Sequence, residues 1–222
     1  MGVAKTSFNG NDYIGAFVTA TDKFALVGLS IEPKKEDLIR ETLGVETIKV
    51  SVDGSDLIGI YAAANSNGVL LPSMTSKSEA DALKTKLPGL NIHLLVTDLN
   101  AMKNDILAND KFAIIDPHYS HLEAKTIGDV LGVEVMKLSI GGYETVGASN
   151  ILTNRGIVLN SNASDEEISV VKDALGLPIE QTTANTGSSS VGLCTVANAR
   201  GVIVGGATTG FELARITQAL GF

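Results

Sequence analysis

Cysteine is almost missing from this 222-residue chain: Cys194 is its only one, and there is no tryptophan. A lone thiol excludes a disulfide framework and any cysteine-based zinc module. No apolar run approaches the ~20 residues that a membrane helix needs, and no secretory leader pattern is present. No membrane partner and a cytoplasmic location are therefore expected. Positive charge is also scarce. Lysine and arginine total 17 against 25 aspartates and glutamates, for a net charge of −8. Nonspecific binding to nucleic acid needs a cationic surface, so free nucleic acid is excluded as a partner class. Docking on a basic protein, or on a local site within a nucleoprotein, stays open. Apolar residues at 44% and charged residues at 19% are a globular composition, not a disordered one. Met1-Gly2 with Thr6 fits a myristoylation pattern, but those residues are wanted as a strand. Asn162-Ala163-Ser164 fits a glycosylation acceptor, with no sign of secretion to go with it.

What is present is a period. Leucines stand at Leu43, Leu87, Leu131, Leu175 and Leu220, with gaps of 44, 44, 44 and 45. Glycine follows at once at Gly44, Gly132, Gly176 and Gly221, and one residue late at Gly89. A period near 44 held along the chain means five copies of one structural unit.

The second copy shows the unit. Residues 57–63 read as a strand, Asn65-Ser66-Asn67-Gly68 as a tight type I′ turn, and residues 69–71 as the returning strand. Asp22-Lys23, Asp110-Lys111, Arg155-Gly156 and Arg200-Gly201 occupy the same place in the other copies. A helix follows, with one apolar face: Ala80, Leu83, Leu87; Ala124, Ile127, Leu131; Ile168, Val171, Leu175; Leu213, Ile216, Leu220. The first copy keeps Ile39 and Leu43 but has Glu36 at the earliest position. Helix starts are marked by Ser76/Glu79, Ser120/Glu123, Ser164/Glu167 and Thr209/Glu212, each a capping box. Pro33 opens the first helix instead, and glycine closes each one. Another strand follows, over 45–52 and 133–140 in the first and third copies.

The unit is therefore strand, strand, helix, strand. The last copy ends at Phe222 without its final strand. Lys5-Thr6-Ser7-Phe8-Asn9-Gly10 matches Lys49-Val50-Ser51-Val52-Asp53-Gly54 at an offset of 44. Residues 1–10 are thus expected to complete the fifth unit and close a ring, which removes exposed strand edges. The expected fold is an α/β, closed five-bladed propeller in a single domain. Its units are 11–54, 55–98, 99–142, 143–187 and 188–222, the last completed by 1–10.

A five-fold pseudosymmetric β-β-α-β ring is the pentein fold. Within it, Val191-Gly192-Leu193-Cys194, Ala197-Asn198-Ala199-Arg200-Gly201-Val202 and Gly205-Gly206-Ala207-Thr208-Thr209-Gly210-Phe211-Glu212-Leu213 resemble the C-terminal signature of the translation initiation factor 6 family. Ala63-Ala64-Asn65-Ser66-Asn67-Gly68-Val69-Leu70-Leu71-Pro72 and Leu152-Thr153-Asn154-Arg155-Gly156 resemble it too. The resemblance spans the chain and is to the archaeal branch, which lacks the eukaryotic C-terminal extension. It implies a non-enzymatic factor without cofactor that docks on the large ribosomal subunit, near the sarcin–ricin loop and an adjacent ribosomal protein. Such a factor blocks small-subunit joining by occupying its space and also acts in large-subunit maturation. A compact ring of this kind is expected to be a monomer.

Candidate docking residues follow from the period and the resemblance. Asn65, Asn109, Asn154 and Asn198 read as one repeat position, with Thr21 in the first copy. Asparagine there serves turn chemistry or an amide-lined docking face. Arg155 and Arg200 at the tips suit phosphate or carboxylate, or are simply exposed. Asn104 aligns with a position that the resemblance places at the docking surface. Gly15, Gly59, Gly147 and Gly192 recur within strands, which indicates close backbone packing. Lys103 breaks that series beside Asn104.

An enzyme is the alternative. Other penteins modify guanidines with a nucleophilic cysteine, a histidine and acidic partners, and Cys194, His118, His121, Glu123 and Asp116 supply those residue types. Cys194, however, lies in an apolar strand pattern, where a free thiol is usually inert. His118, His121 and Glu123 make a thin metal set with no fourth ligand nearby. The glycine-rich Gly205–Gly210 stretch lacks the Lys-Ser/Thr ending of a phosphate loop. A protein-binding ring with another partner is the remaining reading.

Overall fold

Runs such as Phe24-Ala25-Leu26-Val27 and Val202-Ile203-Val204 are apolar on both faces, as in strands covered on both sides. In the computed structural model, which describes residues 2–222, these runs are the middle strands of five three-stranded sheets.

The first unit has a 3₁₀ turn (Ile14–Ala16), β2 (Val18–Ala20), β3 (Phe24–Gly28), α1 (Pro33–Leu43) and β4 (Glu46–Val50). The second has α2 (Ile58–Tyr61), β5 (Ala63–Ala64), β6 (Gly68–Pro72), α3 (Lys77–Lys86) and β7 (Asn91–Leu95). The third has α4 (Met102–Asp105), β8 (Ile106–Ala108), β9 (Phe112–Ile115), α5 (His121–Leu131) and β10 (Glu134–Lys137). The fourth has α6 (Val146–Ser149), β11 (Ile151–Leu152), β12 (Ile157–Asn160), α7 (Asp165–Leu175) and β13 (Ile179–Thr182). The fifth has β14 (Thr195–Ala197), β15 (Gly201–Gly205) and α8 (Gly210–Leu220). In every sheet the middle strand is antiparallel to the first and parallel to the third. The helix is the crossover that a parallel pair requires. The fifth sheet takes its third strand from the other end of the chain: β1 (Gly2–Thr6) pairs parallel with β15, Gly2 opposite Gly201 and Thr6 opposite Gly205.

Helices pack between sheets rather than on one. One cluster joins Val196 and Ile203 of the fifth unit to Ile39 and Leu43 of the first. The other four repeat this pattern, as where Leu70 meets Ile127 and Leu131, or Val158 meets Ile216 and Leu220. The residue four before each marker leucine, namely Ile39, Leu83, Ile127, Val171 and Ile216, is at most 1% exposed. Each such side chain contributes about 1.5–3 kcal/mol by burial, and each core belongs to two units.

The capping boxes form at Ser76, Ser120, Ser164 and Thr209. Three of the glutamates do more. Glu79 also accepts from the amides of Asp53 and Gly54, Glu167 from Gly141, and Glu212 from Thr186 and Gly187. Each thus ties its helix start to the turn that ends the preceding unit. Burial disfavours ionisation of Glu212, but the Thr209 and Gly187 amides and the Thr183 hydroxyl outweigh it and hold the carboxyl at about 2.

Three local expectations are corrected. The first strand over 57–63 is instead the helical turn α2 followed by two strand residues. The recurrent glycines therefore lie in helical turns, where backbones meet. A Cβ on Gly59 would fall 1.8 Å from the Gly15 carbonyl oxygen, on Gly147 2.0 Å from that of Lys103, and on Gly192 2.2 Å from that of Gly147. On Gly15 it would fall 2.3 Å from the Gly192 oxygen, so the contacts run around the ring. Finally, the type I′ turn is not at Asn65–Gly68, where no residue has positive φ. Consecutive positive-φ residues are Asn9-Gly10, Asp53-Gly54, Gly141-Gly142 and the run Asn185-Thr186-Gly187, at the other end of the units.

Candidate functional site

The inner strands β2, β5, β8, β11 and β14 line a narrow central channel with small residues such as Ala20, Ala64, Ala108 and Ala197. The hairpin tips surround one end of it, and Lys103 lines its other part with Gly15 and Gly192. The candidate residues accordingly divide between two ends. Asn65, Asn109, Asn154, Asn198, Arg155 and Arg200 are on the tips. Lys103 and Asn104 are on α4, at the start of the inner strand.

At the tips the amides are already engaged. Asn65 accepts from the amides of Asn67 and Gly68 and donates to the carbonyls of Asn109 and Leu131. Asn109 accepts from Lys111 and Phe112 and donates to Thr153. Asn198 accepts from Arg200 and Gly201 and donates to Thr21 and Leu43. All three are buried. The equivalent residue in the fourth unit is Thr153, whose hydroxyl accepts from Arg155 and Gly156. Asn154 stands one position later, which corrects its alignment with the other three. Its Nδ2 bridges Asp22 and Asp110 at 2.7 and 2.8 Å, and those carboxylates accept from Ala199 and Ser66 of neighbouring tips.

The tip cations meet helix ends. Arg155 donates to the carbonyl of Gly221 and lies 5.2 Å from the Phe222 ring centroid. Arg200 donates to Gly44, and Asn67 to Leu131. Each fills the C-terminal carbonyl site of a neighbouring unit's helix, where cations are favoured. Lys111 holds the same tip position and is exposed.

The third unit is the chemically distinct one. Lys103 is half-buried in the channel, its Nζ 3.5 Å from the Gly147 carbonyl, and desolvation lowers its pKa to about 8. Asn104 is half-buried, and its Oδ1 is buried without a partner. Behind it, Asp105 and Asp116 are 5% and 4% exposed. Burial first, then the Asp116 charge, raises the Asp105 carboxyl to about 7. Nδ1 of His118 is 2.9 Å from Asp116 and 3.7 Å from Glu144. The hydrogen bond to Asp116, then the Glu144 charge, raises the His118 pKa.

Comparison with known proteins decides the lineage. The eIF-6 family model matches residues 3–219. The chain is 39% identical to translation initiation factor 6 of Thermococcus onnurineus, over the whole chain and 99% of that protein. It is 38% identical to the Pyrococcus horikoshii protein and 33% to one from Saccharolobus islandicus, both of the same name and over the full length of each.

The chain belongs to the eIF-6 family.

In this eIF-6 chain Cys194 is fully buried, and desolvation pushes its thiol up to about 11. A thiol so placed is not a nucleophile at neutral pH. The supposed His118, His121 and Glu123 set does not assemble either, because Glu123 is committed to the Ser120 cap. His118 pairs with Asp116 and Glu144 instead. Glu144 was missed because it is 26 residues from His118 in the chain and meets it only across a unit boundary. Among the described residues no helix is long and apolar enough to cross a membrane.

Proposed function

We propose that this protein is a ribosome anti-association factor. It binds the large ribosomal subunit, beside the sarcin–ricin loop and its neighbouring ribosomal protein, and keeps the small subunit from joining prematurely. It also accompanies large-subunit maturation. The full-length eIF-6 match, with relatives named translation initiation factor 6, carries this reading. A ring whose units share every core and whose seam is hydrogen-bonded suits a steric mechanism, because a rigid body loses little entropy on docking.

The end bearing Lys103 and Asn104 is the docking end in this reading. What supports the choice is unspent chemistry: Asn104 retains a buried oxygen without a partner, whereas the tip asparagines are consumed by the ring. Arg155 and Arg200 act first as helix caps and only secondarily as contacts. The protein acts as a cytoplasmic monomer without cofactor. Co-sedimentation with isolated large subunits tests the reading. The guanidine-modifying alternative would need turnover of a guanidine substrate that is lost in Cys194→Ala.

A further inference from the structure

Departures from the five-fold repeat converge where the third unit adjoins the fourth. In the first unit the turn after β3 is clasped by Asp56 of the second: the amides of Leu29 and Ser30 donate to its carboxylate at 2.6 and 3.2 Å. In the fifth, the Gly206 amide donates to Asp12 at 3.0 Å. In the third, Pro117 stands in place of Leu29 and Gly206 and has no N–H to give. Glu144 replaces Asp56 and Asp12, His118 replaces Ser30, and Asp116 replaces Gly28 and Gly205. The backbone clasp of the first and fifth units is absent here, as it is in the second and fourth. A histidine and two carboxylates stand where it was.

We propose that Asp116 Oδ1, His118 Nδ1 and Glu144 Oε2 form a binding site for one zinc-type divalent cation. The three atoms lie within 4.8 Å of one another. Ligands ~2.1 Å from zinc at tetrahedral angles stand about 3.4 Å apart. The observed 2.9 and 3.7 Å bracket that spacing, and the Asp116–Glu144 pair lies within 4.8 Å. Asp116 is buried and accepts from the His118 amide at 2.7 Å, which fixes the anchor. His118 and Glu144 have side chains 64% and 57% exposed, which leaves an entry path and a position for water.

Two further observations describe the surroundings of the cluster. No lysine or arginine pairs with Asp105 or Asp116 among the described residues, so the His118 imidazole is the one basic group on Asp116. The Tyr119 hydroxyl is buried without a partner and lies within the field of both carboxylates. The phenol oxygen is free to accept a hydrogen bond. Imidazole with two carboxylates favours zinc, cobalt or nickel over magnesium or calcium. The site is independent of the ribosomal reading.

Calorimetric titration of the untagged full chain with zinc chloride tests it, with cobalt absorption as a second readout. One zinc per chain is expected, with tetrahedral-intensity cobalt bands and no comparable magnesium binding. Affinity falls about tenfold or more in His118→Ala and in Glu144→Gln. The exposed neighbour variant His121→Ala binds as the parent does. No saturable one-to-one binding, or binding that survives His118→Ala, overturns the proposal.

Discussion

Nδ2 of Asn198 donates to the carbonyl of Leu43, 2.9 Å away and 155 residues distant in the chain. The same nitrogen reaches Thr21 at 3.0 Å. One amide thus fastens the last unit to both the hairpin and the helix of the first.

Asn198→Ala leaves two carbonyls and two turn amides without this partner. A loss of about 2–4 kcal/mol is expected from urea unfolding. Arg200→Ala, which removes an exposed helix cap at the same tip, costs about 1 kcal/mol or less.

The ring of backbone contacts tolerates no side chain. Gly147→Ala places a Cβ on the Lys103 carbonyl and is expected to cost about 3 kcal/mol or more. Gly210→Ala, where a Cβ meets nothing within 4 Å, leaves the unfolding midpoint unchanged or raises it slightly. The pair separates packing from any general effect of losing glycine.

Glu212 ionises at about 2 in the ring and near 4.5 in its absence. The unfolded chain therefore takes up the proton first as pH falls. The stabilisation is complete above 4.5 and drains away between 4.5 and 2. Glu212→Gln is expected to lower stability by about 2–3 kcal/mol at neutral pH and by much less near the acid limit. Denaturant midpoints across that range check it.

Lys103 shares that sign of linkage for a different reason: burial disfavours its charged form. Its pKa is about 8 in the channel against 10.5 when solvated, so the unfolded chain holds the proton more firmly. Stability should rise as pH climbs from 8 to 10.5. Lys103→Met removes that rise and stabilises the protein at neutral pH by about 1–2 kcal/mol, allowing for channel water.

The repeat, the helix caps and the β1 closure were legible because each rests on a local pattern seen several times. The marker leucines and the S/T-x-x-E boxes are period-bound, and one missing strand has one place to come from. The tips were not. Asn65-Ser66-Asn67-Gly68 has the composition of a type I′ turn, yet Asn65 capping its own turn makes positive φ unnecessary. Asn154 looked equivalent to Asn198 because the extra residue in the last period hides Thr153. The strand expected at 57–63 failed because contact between backbones at Gly59 and Gly15, a tertiary demand, overrides local propensity. Glu144 beside His118 required the register between two units, which no single repeat contains.

The most direct test is sedimentation of the chain with isolated large ribosomal subunits, paired with a subunit-joining assay. The account expects the protein to pellet with large subunits at about one per particle and to slow joining. Asn104→Asp should weaken that binding about tenfold, or ~1.4 kcal/mol, without moving the melting temperature. A chain that stays in the supernatant and leaves joining unchanged would contradict it.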